Sequence, residues 1–321
     1  MPTLYGAIDL GGTNVRSIVA TLDGEIRADD RRESRAAEGL DTCLATVEAS
    51  LHEACTEAGV AARDLGAIGL DTPGWVDVHE GVVPAAPQLP GWHNTPIVRI
   101  MSERFGARVL LENDANAGAL GENTFGAGRG ARQMVYITVS TGVGGGIIAD
   151  GKLYGGARGS AGEIGHTIID PAGPICGCGN HGCLEALASG TAIARRGVEA
   201  LARGEAPTLA RLAGEGAAMS ADLVAEAAVA GDGVCAEIYS EAGRYLGVAL
   251  ANLVNLLSPE AIVIGGGVSR SHHLFLPQAE NTMRMLALGE PLKHVRLVLA
   301  ELGDSAGVMG MIARLRQEYS A

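Results

Sequence analysis

Short apolar stretches alternate along the chain with glycine-rich polar turns. Residues 4–26 predict two buried strands joined by a turn at 11–14 and followed by an Asp-Gly hairpin turn. The same succession of strand, glycine turn, strand and Asp-Gly turn recurs at residues 134–154, where the glycine turn covers 140–146. We interpret this recurrence as an internal duplication that gives two related α/β domains.

The rest of the apolar pattern predicts helices and further strands. Helical spacing covers residues 40–55, 192–233, 246–257 and 305–319, and short β-rich runs cover 67–70, 109–112 and 261–264. Because no low-complexity linker interrupts the chain, we expect two directly joined domains. The predicted domains are a small α/β domain at 1–115, completed by the C-terminal helix at 305–321, and a large α/β domain at 116–304 that carries a cysteine-rich loop.

Composition and charge narrow the classes of partner. The formal net charge is -13, which disfavours nucleic acid and anionic membranes as partners. No apolar run approaches the roughly 20 residues of a membrane helix, and the N-terminal residues do not resemble a signal peptide, so we expect a cytoplasmic protein. The two lysines, Lys152 and Lys293, lie outside any P-loop pattern. Any bound phosphate must therefore be held by backbone amides, a metal ion or arginine.

Two glycine turns have the composition of phosphate-binding loops. Residues Gly11, Gly12 and Thr13 directly follow a strand that ends near Asp9, whose carboxylate could hold Mg²⁺, usually through water. Thr141 and Gly142 open the equivalent turn of the second repeat. The alternative is a pair of tight hairpins in which the glycines only supply positive φ.

A third glycine segment follows the predicted strand at 261–264. Gly265 and Gly266 would let an adenosine pack closely against the backbone. The alternative is a helix-entry turn capped by Ser269. Spacing alone leaves both interpretations open.

Three cysteines lie close together in the sequence. Cys176, Cys178 and Cys183, together with His166 or His181, make a Cys₃His set of the kind that closes a tetrahedral zinc site. Four protein ligands leave no open position, so we expect a structural zinc ion rather than a catalytic one. The three other cysteines are expected to be small buried apolar residues: Cys43, Cys55 and Cys235.

These motifs resemble those of a known family. The paired turns look like the phosphate motifs of the sugar kinase, hexokinase and actin-like superfold. Glu163-x-Gly-His166, the Cys-x-Cys-x₄-Cys run and the Asn-Asp-x-Asn segment at 113–116 are similar to motifs of the ROK family, which comprises bacterial sugar kinases and related repressors. The resemblance covers the whole chain and implies duplicated, ribonuclease H-like domains with a cleft between them.

The resemblance also implies roles for individual residues. Asp114 would be the general base and Asn113 would hydrogen-bond sugar hydroxyls, although spacing alone favours Asp114 as the cap of a helix starting at Ala115. The backbone of Gly74 would contact the sugar. Glu163, His166 and Glu185 would line the sugar pocket, and His166 rather than His181 would be the zinc ligand.

The resulting expectation is an ATP-dependent, Mg²⁺-requiring kinase that phosphorylates the 6-hydroxyl of glucose. Kinases of N-acetylglucosamine, N-acetylmannosamine, mannose or fructose belong to the same class, and the pocket at C2 that distinguishes them is not visible in the sequence. A non-catalytic sugar sensor and an actin-like assembly protein are alternatives of other classes. With Asp9 as the ninth residue, we expect no preceding helix-turn-helix of the repressor type. A homodimer is the default assembly, with a homotetramer as the alternative.

Overall fold

A computed structural model describes residues 3–214 and 218–319 of the chain. In chain order its strands are β1 (Tyr5–Leu10), β2 (Asn14–Ala20), β3 (Ile26–Glu33), β4 (Ile68–Thr72), β5 (Trp75–Asp77), β6 (Val82–Ala85), β7 (His93–Thr95), β8 (Val109–Asn113), β9 (Met134–Val139), β10 (Val143–Ala149), β11 (Lys152–Leu153), β12 (Ala261–Gly265) and β13 (Arg296–Leu299). Its helices are α1 (Leu40–Ala58), α2 (Ile97–Phe105), α3 (Asp114–Thr124), α4 (Leu184–Ala188), α5 (Gly190–Ala202), α6 (Pro207–Ala213), α7 (Ala221–Val229), α8 (Gly233–Leu257), α9 (His272–Leu286), α10 (Gly289–Leu292) and α11 (Ala306–Tyr319).

Two five-stranded sheets repeat one strand order. The first sheet runs β3-β2-β1-β4-β8 and the second runs β11-β10-β9-β12-β13. In the first, β1, β2 and β3 pair antiparallel in succession, while β4 and β8 add in parallel to β1. In the second, β12 lies parallel to both β9 and β13, and β10 and β11 form a hairpin. The shared order confirms the predicted duplication.

The chain divides into two compact units. Unit 1 contains the chain up to Arg132, residues 146–162 and the segment from Ala300 onward. Unit 2 contains Gln133–Gly145 and Glu163–Leu299. In the described parts of both units, none of the helices combines the length and apolar character that a membrane crossing requires.

Unit 1 buries both faces of its sheet, which explains the continuous apolar run of β1. Ile8 and Leu10 pack in the core that contains α1, while Tyr5 and Ala7 pack in a second core with α11. Unit 2 has one large core built from β9, β12 and the surrounding helices α4, α5, α7, α8 and α9. The cysteines Cys43, Cys55 and Cys235 are buried in these cores, as predicted.

The unit boundary lies further along the chain than residues 115–116. Helix α3 packs against α11, and a β-carbon at Gly121 would lie only 2.6 Å from the carbonyl oxygen of Ala306. This close helix packing keeps α3 in unit 1, together with the segment that follows it to Arg132.

The second glycine turn is shorter than predicted. It covers residues 140–142 and closes through a hydrogen bond from the Ser140 amide to the Gly142 carbonyl oxygen (2.8 Å). Strand β10 begins at Val143, so the following glycines are strand residues. Gly146 lies against α3, where a β-carbon would come 2.6 Å from Cβ of Ala119. The glycine run therefore continues for packing reasons after the turn has ended.

Candidate active site

The first glycine turn is fixed by contacts with two neighbouring segments. The Ser34 amide donates to the Thr13 carbonyl oxygen (2.8 Å), and the Ser34 hydroxyl donates to the Gly12 carbonyl oxygen (3.0 Å). A β-carbon at Gly12 would lie 2.9 Å from the carbonyl oxygen of Gln88. Neither Gly11 nor Gly12 has positive φ. The need for glycine here is close approach, which argues against the plain-hairpin alternative for this turn.

Three acidic side chains share one register across unit 1. Asp9 on β1 pairs with Asp71 on β4, and Asp71 pairs with Glu112 on β8. Burial raises the pKa of all three carboxyl groups, and the neighbouring Asp9 raises that of Asp71 further. Glu112 accepts hydrogen bonds from the Asn113 amide (2.9 Å) and the Asn116 side-chain amide (3.0 Å). This row leads directly to the start of α3.

The start of α3 shows which residue caps the helix, a role for which the sequence offered Asp114 as an alternative to its role as a base. Asn113 is the cap, because its Oδ1 accepts from the amides of Ala115 (3.0 Å) and Asn116 (3.2 Å). Asp114 is the first helical residue, is exposed, and accepts from the Ala115 amide through Oδ1 (2.8 Å). The predicted alternative of Asp114 as the cap is therefore wrong, since Asn113 performs that function.

The predicted sugar residue Gly74 lies beside this helix start. The Asn113 side-chain amide donates to the Gly74 carbonyl oxygen (3.1 Å). Unit 1 thus places Gly74, Asn113 and Asp114 together, and the acidic row places Asp71 next to Asp9 and close enough to Asp114 for their charges to interact.

The second turn is held by residues of unit 2. The Thr191 hydroxyl donates to the Thr141 carbonyl oxygen (2.8 Å), and the Val143 amide donates to Oε2 of Glu185 (3.1 Å). Gly142 also lies in contact with the Glu185 carboxylate. The structure therefore brings Glu185, predicted as a sugar residue, against the second glycine turn.

A cavity of about 340 Å³ opens between the second turn and the third glycine segment. Its lining includes Ser140, Thr141, Gly190, Thr191, Gly267 and Arg270. Gly266, with positive φ, begins the short 3₁₀ segment 267–271, and the Ser269 hydroxyl donates to the Gly266 carbonyl oxygen (2.7 Å). Ser269 therefore stabilises this turn without acting as an acceptor for a helix amide, and Gly267 of the glycine segment lines the cavity.

The three cysteines and His166 converge in unit 2. Their ligand atoms all lie within 4.8 Å of one another. The Cys178 and Cys183 sulfurs are 3.7 Å apart, too far for a disulfide, and the Cys176 sulfur lies 3.6 Å from Nδ1 of His166. Bond lengths of about 2.3 Å to sulfur and about 2.0–2.1 Å to nitrogen place tetrahedral zinc ligands about 3.5–3.8 Å apart. These two separations match that geometry, and all ligand pairs of the set lie within 4.8 Å.

His181 is not a member of this cluster. Its Nδ1 lies 3.2 Å from the Gly173 carbonyl oxygen, and the side chain is exposed. His166 faces the cluster with Nδ1 while its Nε2 lies 4.0 Å from Oε2 of Glu163. One ring nitrogen can therefore serve a metal while the other faces a neighbouring carboxylate. This geometry is compatible with both roles that the resemblance implied for His166.

The Glu-x-Gly-His segment and the cysteine loop meet the second turn. A β-carbon at Gly165 would overlap the Val143 carbonyl group, so only glycine allows this packing. The Cys176 thiol also lies 3.8 Å from Oε1 of Glu185, whose other oxygen accepts from Val143. Glu185 therefore connects the cysteine cluster to the second glycine turn inside unit 2.

Sequence reasoning missed the buried acids Asp71 and Glu112. Asp71 stood in an Asp-Thr-Pro-Gly cluster that signals a chain break, and Glu112 stood at the end of a predicted strand. An acidic residue inside an apolar strand run was the available signal for both.

Comparisons with known proteins agree with this geometry. A model of the ROK family matches residues 5–318. A glucokinase from Halalkalibacterium halodurans is 36% identical over 307 residues, which cover 95% of this chain and 93% of that protein. The crystal structure of a ROK family glucokinase from Streptomyces griseus in complex with glucose and AMPPNP matches with a TM-score of 0.84 and 35% identity, covering 98% of this chain and 99% of that one. A xylose repressor from Caldicellulosiruptor bescii is 31% identical over 307 residues, covering 95% of this chain and 76% of the repressor.

Proposed function

This chain belongs to the ROK family, and we propose that it is an ATP-dependent glucokinase that transfers a phosphoryl group to the 6-hydroxyl of glucose. Glucokinases are among its relatives at 36% identity over almost the whole of both chains. A related structure at 35% identity is a complex with glucose and the ATP analogue AMPPNP.

The observation that carries the proposal is the exposed carboxylate of Asp114. Asn113 supplies the cap of α3, and the side chain of Asp114, which accepts from the Ala115 amide through Oδ1, is exposed at the helix start. A sugar hydroxyl is a weak nucleophile until a positioned base accepts its proton during attack on the phosphoryl group. Asp114 is the residue we assign to that step, with Asn113 and the Gly74 backbone contributing sugar contacts.

The two glycine turns and the cavity would hold the nucleotide. Thr141 and Gly267 line the 340 Å³ cavity, and Gly142, Gly265 and Gly266 adjoin them in the chain, so this part of unit 2 would hold an adenosine and its phosphates. Gly11, Gly12 and Thr13 would contact phosphate from unit 1. Asp9 fits a Mg²⁺ ion through its carboxylate, and the bound ion would neutralise charge on the phosphates.

The cysteine cluster would hold a structural zinc ion through His166, Cys176, Cys178 and Cys183. With Nδ1 on the metal, Nε2 of His166 is left to donate to a sugar hydroxyl or to Glu163. The carboxylates of Glu163 and Glu185 can accept hydrogen bonds from vicinal hydroxyls. The zinc would therefore fix the shape of a sugar-binding surface on unit 2.

Glucose-dependent ADP formation by the wild-type chain and by Asp114→Asn tests the proposal. We expect kcat to fall about 10²–10⁴-fold with a small change in KM. Asp41→Asn is the matched control, since Asp41 is also an exposed acid in the first turn of a unit 1 helix and should retain wild-type kcat. Near-normal turnover by Asp114→Asn would exclude the assigned base.

The same assay separates the alternatives. Comparing kcat/KM for glucose, mannose, fructose, N-acetylglucosamine and N-acetylmannosamine identifies the preferred hexose. Glucose binding without ATP turnover by the wild-type chain would instead favour a sugar-sensing regulator, a class represented among the relatives by a xylose repressor. We also propose a homodimer, with a homotetramer as the alternative, to be distinguished by light scattering of the purified protein.

A further inference from the structure

Asp71 is a buried acid that the proposed reaction does not use. It is 0% exposed, and its one side-chain hydrogen-bond partner in the described part of the chain is the neighbouring Asp9, with which it can share a proton. Two buried carboxyl groups with no other donor are strongly unfavourable as carboxylates, so such a pair is expected to bind a cation, form an ion pair or hold a proton. Glu112, the next acid in the row, has two hydrogen-bond donors and needs no further partner.

Arg16, the arginine with the larger effect on Asp9, is engaged elsewhere. Arg16 acts on the charge of Asp9, but its guanidinium binds Asp29 through two hydrogen bonds of 3.0 and 2.6 Å. Its remaining donor contacts the Asp304 carbonyl oxygen (3.0 Å) and the Ser305 hydroxyl (2.9 Å). Arg16 therefore neutralises Asp29 rather than Asp71.

Asp9 and Asp71 aim at the same small volume beside α11. A β-carbon at Gly307 would lie 2.7 Å from Oδ2 of Asp9 and 3.1 Å from Oδ2 of Asp71. Gly307 lies in the first turn of α11, where backbone amides favour negative charge. Two carboxylates thus converge where the first phosphate turn begins, and any side chain at position 307 would fill the space between them and the helix.

We propose that Asp71 is a second carboxylate ligand of the divalent cation assigned to Asp9. Mg²⁺ is commonly held by one or two carboxylates together with water and substrate phosphates. A pair of anionic ligands, one of them fully buried, gives the protein cation affinity before nucleotide binds. The proposal rests on the proposed function only for the role of the cation in holding ATP.

Mn²⁺ serves as the probe, because it is a hard divalent cation that prefers oxygen ligands and free Mn²⁺ is measured directly by electron paramagnetic resonance. The full chain, without nucleotide or sugar, is titrated as wild type, Asp71→Asn, Asp9→Asn and Glu112→Gln. We expect Asp71→Asn and Asp9→Asn each to weaken Mn²⁺ binding by at least about 10–100-fold, because the loss of a group that only supports a metal ligand already has that effect. Glu112→Gln, a buried acid of the same row that already has partners, should bind Mn²⁺ like the wild type.

Equal Mn²⁺ affinity of Asp71→Asn and the wild type would overturn the proposal and leave Asp71 as a protonated core carboxyl group. Tryptophan fluorescence verifies that each variant folds, and Asp71→Ser is a second variant without a carboxylate. The wild-type titration can refute the proposal even if both variants fail to fold, because the proposal requires Mn²⁺ binding by the nucleotide-free protein. Absence of that binding at millimolar Mn²⁺ refutes it.

The outcome is separable from that of the proposed function. Mn²⁺ binding that depends on Asp71, found in a protein without glucose-dependent ADP formation, would support the cation site while refuting the kinase. Normal kinase activity together with unchanged Mn²⁺ affinity in Asp71→Asn would support the kinase while refuting Asp71 as a cation ligand.

Discussion

Asn113 offers a direct test of how the start of α3 is built. Its Oδ1 accepts from two helix amides, Ala115 (3.0 Å) and Asn116 (3.2 Å), and its Nδ2 donates to the Gly74 carbonyl oxygen (3.1 Å). Asn113→Ala removes both functions, whereas Asn113→Ser retains an oxygen that can cap the helix and loses only the contact with Gly74. The two variants therefore separate the contribution of the helix cap from that of the hydrogen bond to Gly74.

The expected free energies follow from these contacts. Loss of an Asn cap costs about 1 kcal/mol, and loss of one neutral hydrogen bond costs about another 1 kcal/mol. Asn113→Ala should therefore lower the free energy of unfolding by about 2 kcal/mol, and Asn113→Ser by about half of that. Asn113→Asp retains the cap, but it places a carboxylate against the Gly74 carbonyl oxygen, so it should be less stable than the wild type.

Urea unfolding followed by tryptophan fluorescence measures these differences in the free energy of unfolding of unit 1, which contains Asn113. The chain has two tryptophans, Trp75 and Trp92, and both lie in unit 1. Trp92 is almost fully buried, so its emission reports the unfolding of the core around it. Equal losses in Asn113→Ala and Asn113→Ser would show that the cap contributes nothing. Wild-type stability of Asn113→Ala would refute both contributions.

Two further predictions concern the metal cluster and a buried acid of unit 1. Elemental analysis of the purified protein should find about one zinc per chain, and Cys178→Ser should lose it; retained activity in a zinc-free preparation would contradict the assignment. Chelator should inactivate slowly, because the closed site loses its metal through opening of the fold. Glu122 accepts from the amides of Ala127 (2.9 Å), Glu301 (3.2 Å) and Leu302 (2.8 Å). Glu122→Gln should lower unit 1 stability in urea by about 2–4 kcal/mol, because an amide nitrogen cannot accept and buried donors would lose their partner; an unchanged urea midpoint would exclude this role.

The features predicted well from sequence are those specified by neighbouring residues. The strand–glycine–strand pattern depends on local alternation, and the Asp-Gly pair at 150–151 forms a two-residue turn in which both residues have positive φ. The cysteine cluster was equally accessible, since three thiols in eight positions leave few geometries. The choice of His166 over His181 needed the family resemblance, because both histidines lie within reach in the sequence.

The features that escaped prediction depend on distant partners. Strand β3 is a charged segment with only Ala28 fully buried, and its pairing with β2 rather than its own pattern makes it a strand. The boundary of unit 1 depends on α3 packing with α11, from the other end of the chain. The burial of Asp71 has the same origin, because the first turn of α11 covers it at Gly307. A short stretch of sequence does not reveal these contacts, because the partners lie far apart along the chain.

The two glycine turns have similar sequences, but different contacts hold them in place. The first turn is held by Ser34 and confined by the backbone of Gln88, contacts that need no metal. The second turn is held partly by Glu185, whose other oxygen faces Cys176 of the metal cluster. Ordering of the cysteine loop and geometry of the second turn are therefore coupled through one side chain. A zinc ion bound by the cysteine loop would therefore affect, through Glu185, the geometry of the second glycine turn as well as that of the loop itself.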